Sequence, residues 1–287
     1  MTHTLQLSSE RLRCEIAPAL GGCIVGLWLG ELPVLRSQPA AQLATSRQSA
    51  SYPLVPYSNR IAQALLQWQG QSYPLAANNP PEPHAIHGVG WQQPWQVLAA
   101  DAQSARLAYQ HLPDAAWPFA FASTQEFRLT PDALELRLSL SNQAGQPVPA
   151  GLGWHPFFVK RPGSHIAFQA QGRWEMGEDK LPTRRASVQG LDTDCASLDL
   201  DHCFDGWDGL VQLRDEALRM RIRSDLGCLV VFTNGARDTV AIEPVSHVNN
   251  AANLVAAGQR AEDLGLRVLQ PGETMSAQMR IEVEAVR

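Results

Sequence analysis

The sequence predicts an all-β protein, a sandwich or barrel of short antiparallel strands, on three observations. Apolar and polar residues alternate at period two in several segments, the pattern of strands buried on one face. Glycine and proline, 21 and 20 of 287 residues, recur at short intervals and break up any long helix. The only helical candidates are short, near Pro39–Ala44 and Ala251–Ala257. Along the chain, Trp68-Gln-Gly-Gln-Ser-Tyr73 reads as a hairpin turning near Gly70. Thr124–Thr130 and Ala133–Leu140 alternate cleanly, and Thr130-Pro-Asp-Ala133 supplies the turn between them. Gly172–Leu200, rich in charge and poor in pattern, is expected to be a long loop. Leu218–Ser224, Cys228–Phe232 and Ser276–Val283 read as further strands. Thr239–Glu243 reads as a buried strand whose ladder breaks at Pro244, which has no backbone N–H to donate. No composition shift, linker or repeat divides residues 1–287, so one domain is expected.

Bulk properties narrow the function. Hydrophobic residues at 45% allow a full core, and charged residues at 18% fall below the usual ~25%. A formal charge of −5 gives no electrostatic case for nucleic acid or an anionic membrane as partner. There is no apolar run of the ~18 residues a spanning helix needs. Met1-Thr-His-Thr-Leu5 lacks the basic region and apolar stretch of a signal peptide, so a cytoplasmic location is expected. Five scattered cysteines, with no CxxC pair, are expected to be free thiols.

A few residues sit in unusual company. Glu243 places a carboxylate in an apolar run, where a charge is costly unless paired or neutralised. The bland reading, a strand-end glutamate reaching solvent or an arginine, is equally good for that residue alone. His155 lies between Trp154 and Pro156 after a glycine-rich approach, and His84 and His87 precede Gly88 and Trp91. A lone histidine among aromatics is more often a satisfied core residue. Arg60 interrupts the otherwise uncharged stretch from Tyr52 to Ile61, which taken alone suggests an ordinary ion-pair partner.

Together and in order, these segments resemble the aldose 1-epimerase (galactose mutarotase) family. The match runs Ser58-Asn-Arg-Ile61, Ile86-His-Gly88, Gly153-Trp-His-Pro156, Asp201-His-Cys-Phe204 and Ile242-Glu-Pro244, with a Leu269-Gln-Pro-Gly-Glu273 turn before a last strand. It covers the chain from about residue 50 onward and is nearest to the shorter bacterial branch. The resemblance implies a large two-sheet antiparallel β-sandwich of the galactose mutarotase type, with a ligand cleft across one sheet. It also implies interconversion of the α and β anomers of a free hexose by ring opening and closure. Carried over by motif, Glu243 is the expected base at the C1 hydroxyl and His155 the expected acid at the ring oxygen. His87, Arg60 and Asp201 are the expected sugar-binding residues. Trp91, Trp154 and Phe157 are candidates for contact with a pyranose face or ordinary core, while His84, His202 and His247 are expected as support or surface. Phe157 stands where the family often has tyrosine, which leaves the sugar's identity open.

This chemistry moves protons only, so no cofactor and no metal are expected, and the partner is a monosaccharide bound by a monomer or homodimer. Three alternatives stand beside it. A sugar-phosphate mutarotase needs a basic cluster at the cleft, and the only adjacent basic pairs are Lys160-Arg161 and Arg184-Arg185. A non-catalytic sugar binder would tolerate Gln or Asn at Glu243, His155 and His87. A metal-dependent hydrolase built from His84, His87, His155 and Glu243 lacks a helical zinc signature.

Overall fold

The computed structural model describes residues 3–286 and is a β-sandwich whose strand ladders are antiparallel throughout the described residues. One sheet has nine strands, in the order Gln96–Ala100, Ser104–His111, Phe121–Leu129, Ala133–Asn142, Thr274–Ala285, Leu218–Ser224, Leu210–Arg214, His165–Phe168 and Leu191–Asp194. Its central strands follow their alternation: Phe121, Phe127 and Leu129 turn inward, while Glu126 and Arg128 face water. The Thr130–Ala133 turn holds as expected, its Thr130 N–H donating to the Ala133 carbonyl. The hairpin at Gly70 is also present, joining Leu65–Trp68 to Gln71–Pro74.

The second large sheet has eight strands and carries the cleft. Its order is Pro182–Ser187, Gly172–Met176, Leu200–Asp205, Cys228–Thr233, Thr239–Val245, Gly153–Trp154 and Pro53–Leu54, with Phe157–Val159 pairing beside Gly153–Trp154 on the Thr239–Val245 strand. Thr239–Val245 is buried along its whole length, which is why it reads as a continuous apolar run. A four-stranded sheet, Leu5–Ser8, Leu12–Ala17, Cys23–Leu29 and Leu32–Pro33, adds its buried side chains to the same core. The helical candidates reduce to a 3₁₀ turn at Ala40–Gln42 and one short α-helix at Ala251–Ala256. Among the described residues no helix is long and apolar enough to cross a membrane. All five cysteines are buried free thiols.

Two expectations are corrected. Gly172–Leu200 is not a long loop, because it holds the strands Gly172–Met176, Pro182–Ser187 and Leu191–Asp194. Pro182–Ser187 and Leu191–Asp194 form the outer edges of the two large sheets. Edge strands wetted on both faces need no alternation, and charge on them discourages pairing with other chains. Their polarity therefore disguised them. The second correction is at Pro244, which lies inside its strand, opposite Leu229. The N–H groups of Ile242 and Ser246 point to the carbonyls of Pro156 and Leu152. By the two-residue period Pro244 faces the same side, where the neighbouring chain is itself interrupted between Trp154 and Phe157. The ladder loses one rung and continues.

Candidate active site

The interruption opposite Pro244 builds the centre of the cleft. Gly153 pairs with Val245, and Phe157 with Ala241. Counting inward along both strands sets His155 opposite Glu243, and the period-two pleat puts both side chains on one face. Their side chains meet with His155 Nε2 3.2 Å from Glu243 Oε1. Close approach here requires Gly153, since a Cβ at that position would lie 2.7 Å from the Pro244 carbonyl oxygen. The His155 ring stacks on Phe157 at 4.3 Å and packs against Tyr52 at 4.8 Å, which fixes its plane.

His87 approaches from a different segment. It has φ +62°, and Gly88 follows at φ +67°, where a Cβ would collide with the Val55 carbonyl. Two successive left-handed residues throw the imidazole inward, edge-on to His155 with centroids 5.2 Å apart. Its Nδ1 accepts the Asn59 N–H at 3.0 Å, so the ring proton sits on Nε2, the nitrogen that faces the cleft.

Arg60 lines the cleft, but not as a free fork. Its Nε and Nη2 donate to the two oxygens of Glu82 at 2.7 and 3.0 Å, and its Nη1 donates to Asn59 Oδ1 at 3.2 Å. Asp201, half-buried at the start of its strand, completes the set. All five residues carried over by motif thus line one cleft of about 280 Å³. The cleft also contains residues that the sequence did not single out: Arg36, Arg47, Tyr52, Asn59, Asn79, Glu82, Phe232 and Arg237. Of the aromatic candidates only Phe157 reaches it; Trp91 and Trp154 are core. His84 and His247 hold backbone groups (His84 that of Gln63, His247 those of Ser58 and Val248), and His202 lies 3.7 Å from Glu175.

Burial dominates the electrostatics. It pushes the Glu243 carboxyl well above the usual carboxylate range, with the Asp201 charge adding to the shift and Arg60 opposing it. Burial likewise brings the His155 imidazole down to about 3, helped by Arg36. His87 is also depressed, first by burial and then by His155. Burial thus disfavours the charged form of each member of the Glu243–His155 pair, whose nearest side-chain atoms lie 3.2 Å apart. Glu243 Oε2 and His155 Nδ1 are buried without a hydrogen-bond partner within the protein, which leaves hydrogen-bonding capacity unused beside the cleft.

The donor atoms of His87, His155 and Glu243 lie within 4.8 Å of one another, a spacing that a metal ion would accept. The surroundings do not suit one. A ligating histidine donates its second ring N–H to an acceptor. The Nδ1 of His87 instead faces the N–H of Asn59, a donor. His84, the fourth residue of the metal-hydrolase alternative, is tied to the Gln63 N–H and the Asp179 carbonyl.

Comparison with known proteins agrees with this architecture. The family model described as Aldose 1-epimerase matches residues 3–282. The uncharacterised protein YphB of Escherichia coli K12 is 30% identical, with 97% of this chain and 98% of that protein covered. A crystal structure of a candidate aldose 1-epimerase from Escherichia coli K12 superposes with a TM-score of 0.88 at 27% identity, covering 99% of each chain. A galactose mutarotase-like protein from Clostridium acetobutylicum shares the fold, with a TM-score of 0.84 at 18% identity over 99% of this chain and 95% of its own. The chain belongs to the aldose 1-epimerase family.

Proposed function

We propose that this protein is a mutarotase that interconverts the α and β anomers of a hexose by acid–base opening and closure of the ring. The observation that carries the reading is the Glu243–His155 pair, 3.2 Å apart, buried and retaining unpartnered atoms; on this reading the two share a single titratable proton. The two oxygens that must exchange protons, the anomeric hydroxyl and the ring oxygen, are bonded to the same carbon. Their catalysts must therefore be neighbours. With the pair's proton on His155, the Glu243 carboxylate takes the hydroxyl proton while His155 gives its own to the ring oxygen, which leaves C1 and becomes the hydroxyl on C5. The C1–O ring bond breaks and an aldehyde forms. Rotation about C1–C2 and reversal of both transfers gives the other anomer, and the pair ends with the proton count it began with. The Nε2–H of His87 is placed to steady charge developing on the sugar oxygen. Arg60, backed by Glu82, and Asp201 bind ring hydroxyls.

The test is the rate of anomer exchange, followed by polarimetry or by magnetisation transfer, on freshly dissolved hexoses with and without protein. Acceleration is expected for sugars with a free anomeric hydroxyl, and none for methyl glycosides, which have no C1 proton to remove. Activity is expected to survive exhaustive EDTA treatment. Unaccelerated exchange over a broad panel of aldoses would point instead to a non-catalytic sugar binder.

A further inference from the structure

The row that sets His155 opposite Glu243 continues onto a third strand. Gly153 pairs with Leu54 and Trp154 with Pro53, so the next step along both chains sets Tyr52 opposite His155, on the side away from Glu243. The His155 N–H donates to the Tyr52 carbonyl at 3.0 Å, and the two rings lie 4.8 Å apart. Tyr52, His155 and Glu243 therefore form one line of side chains across three neighbouring chain segments, and all three line the cleft. Trp91 packs on the Tyr52 ring at 5.5 Å, with His87 and Phe157 at 6.1 and 6.2 Å. These contacts fix the plane of the ring.

The packing leaves its hydroxyl unused. Buried hydroxyl groups are bonded as a rule. Tyr73 donates to Gln71 at 2.6 Å, and the Tyr109 hydroxyl meets His111 Nδ1 at 3.1 Å. The Tyr52 hydroxyl has no such bond among the described residues, although Tyr52 is only 4% exposed and lines the cleft. Burial pushes its ionisation up and the Glu243 charge adds to this, so the group stays a neutral donor and does not serve as a base. Tyr52 is also the one tyrosine among the residues lining the cleft, where Phe157 and Phe232 bring rings without a hydroxyl. The acid–base chemistry proposed above needs Glu243 and His155 and leaves this donor without a task.

The order of the row matches the order of oxygens along one edge of a hexopyranose. The ring oxygen is bonded to C1, which carries the anomeric hydroxyl, and to C5, which carries C6 and its hydroxyl. It lies between those two hydroxyls as His155 lies between Glu243 and Tyr52. With Glu243 at the anomeric hydroxyl and His155 at the ring oxygen, the third oxygen falls to the third side chain. We propose that the Tyr52 hydroxyl donates a hydrogen bond to the C6 oxygen of the bound sugar and makes the cleft selective for hexoses that keep that oxygen. This assignment rests on the mutarotase reading and adds a specificity-determining residue to it.

A cycle of one hydroxyl removed from the protein and one removed from the sugar decides it. Anomer exchange is measured by magnetisation transfer on glucose and 6-deoxyglucose, and on galactose and 6-deoxygalactose, with the native protein and with Tyr52→Phe, which keeps the ring and its packing. The native protein should favour a 6-hydroxylated sugar over its 6-deoxy analogue by about three- to tenfold in kcat/KM, the range of one neutral hydrogen bond, carried mainly by KM. Tyr52→Phe should lower kcat/KM for the hydroxylated sugar by that factor and leave the 6-deoxy sugar unaltered, so that the preference disappears. Tyr73→Phe, outside the cleft, should leave it intact. Equal losses on both sugars would mean that the hydroxyl acts through His155 or through the fold, and would overturn the proposal. So would a native protein indifferent to the 6-hydroxyl, or a preference that survives in Tyr52→Phe; each of these leaves the mutarotase reading standing. Failure of the native protein to exchange any of the four sugars overturns both.

Discussion

The cleft holds its arginines in two opposite ways. Arg60 is 8% exposed and carries its own counter-charge, with Glu82 gripping two of its nitrogens. Of the other cleft arginines, Arg36 and Arg47 are half-buried and Arg237 is exposed, and aromatic faces take the place of carboxylates. The first arrangement pairs the guanidinium with a carboxylate in fixed geometry, and the second leaves its guanidinium charges without an ion pair among the described residues. That difference bears on the catalytic pair between them. Asp201 pushes Glu243 toward its protonated form, and Arg36, Arg47 and Arg237 push His155 toward its neutral form. Burial is the larger cause at both residues, and of these charges Arg60 alone opposes it at Glu243.

The sharpest way to break this comparison is to remove the pair it brackets. Glu243→Gln keeps the shape but cannot accept a proton, and His155→Asn cannot carry one to the ring oxygen. Each should lower kcat by about 10²–10⁴-fold, the usual contribution of a positioned acid or base. KM should move far less. Because one proton serves both residues, the double variant should lose much less than the product of the single losses. Additive losses would show that the two act independently, and near-native turnover in Glu243→Gln would shift the base to Asp201.

Separating the two arrangements is the next test. Arg60→Met should raise KM for any hexose by about tenfold, in line with loss of a charge-assisted hydrogen bond, with a smaller effect on kcat. Glu82→Gln should act through Arg60. It leaves a mostly buried guanidinium without its carboxylate, and because Glu82 is 32% exposed the stability cost should be about 1–2 kcal/mol rather than that of a fully buried pair. Chemical denaturation checks this. An equal loss on neutralising Arg237, which has no carboxylate partner, would erase the contrast between the two sides.

How much of this was legible in the sequence follows the same division. Glu243, His155, His87, Arg60 and Asp201 stand in short motifs, and the fold brings all five to one cleft. The alternating strands from Phe121 to Asn142 were legible because one face packs on the core and the other meets water. Gly172–Met176, Pro182–Ser187 and Leu191–Asp194 were not, since strands at or near sheet edges are not compelled to alternate. Glu82 was invisible as the partner of Arg60, 22 residues away, because nothing in the spacing reports a loop folding back. Arg36, Arg47 and Arg237 were missed for a related reason. A search for adjacent basic residues finds Lys160-Arg161 and Arg184-Arg185, whereas the cleft takes one arginine from each of three separate segments.

The pH dependence of turnover sharpens the comparison further. If each group titrated alone, activity would fall on the acid side near the ordinary imidazole range. For the shared proton, adding a second proton requires charging His155, held down to about 3, beside three arginines. Removing the only proton requires a bare Glu243 carboxylate, whose ionisation is pushed well above the ordinary range. A plateau through neutrality is expected, with an acid limb far below pH 6.5, in a kcat profile corrected for uncatalysed mutarotation. In Arg36→Gln the acid limb should move up, because one of the charges that depress His155 is gone. An acid limb already near pH 6.5 in the native protein would overturn the shared-proton description.

The smallest effect concerns stability, and its sign is diagnostic. Glu243 binds its proton more tightly folded than unfolded, so between the unfolded carboxylate range and its own raised pKa the folded state holds more protons. Stability then falls as pH rises through that window. Glu243→Gln abolishes this dependence and retains the hydrogen-bonding shape, so the variant should be more stable than the native protein at neutral pH by on the order of 1 kcal/mol, typical of sites that trade stability for activity. The gain should vanish at pH values below the unfolded carboxylate range, where both states are protonated. Asp205 provides the contrast within the same sheet. It accepts bonds from Arg185 and from the indole N–H of Trp174, so its carboxylate is satisfied and Asp205→Asn should cost stability at neutral pH. Thermal melts at acid and neutral pH read both signs. A Glu243→Gln variant destabilised at neutral pH would mean that the carboxylate is held charged by His155 in the folded protein, and the pair would be an ion pair before the sugar arrives.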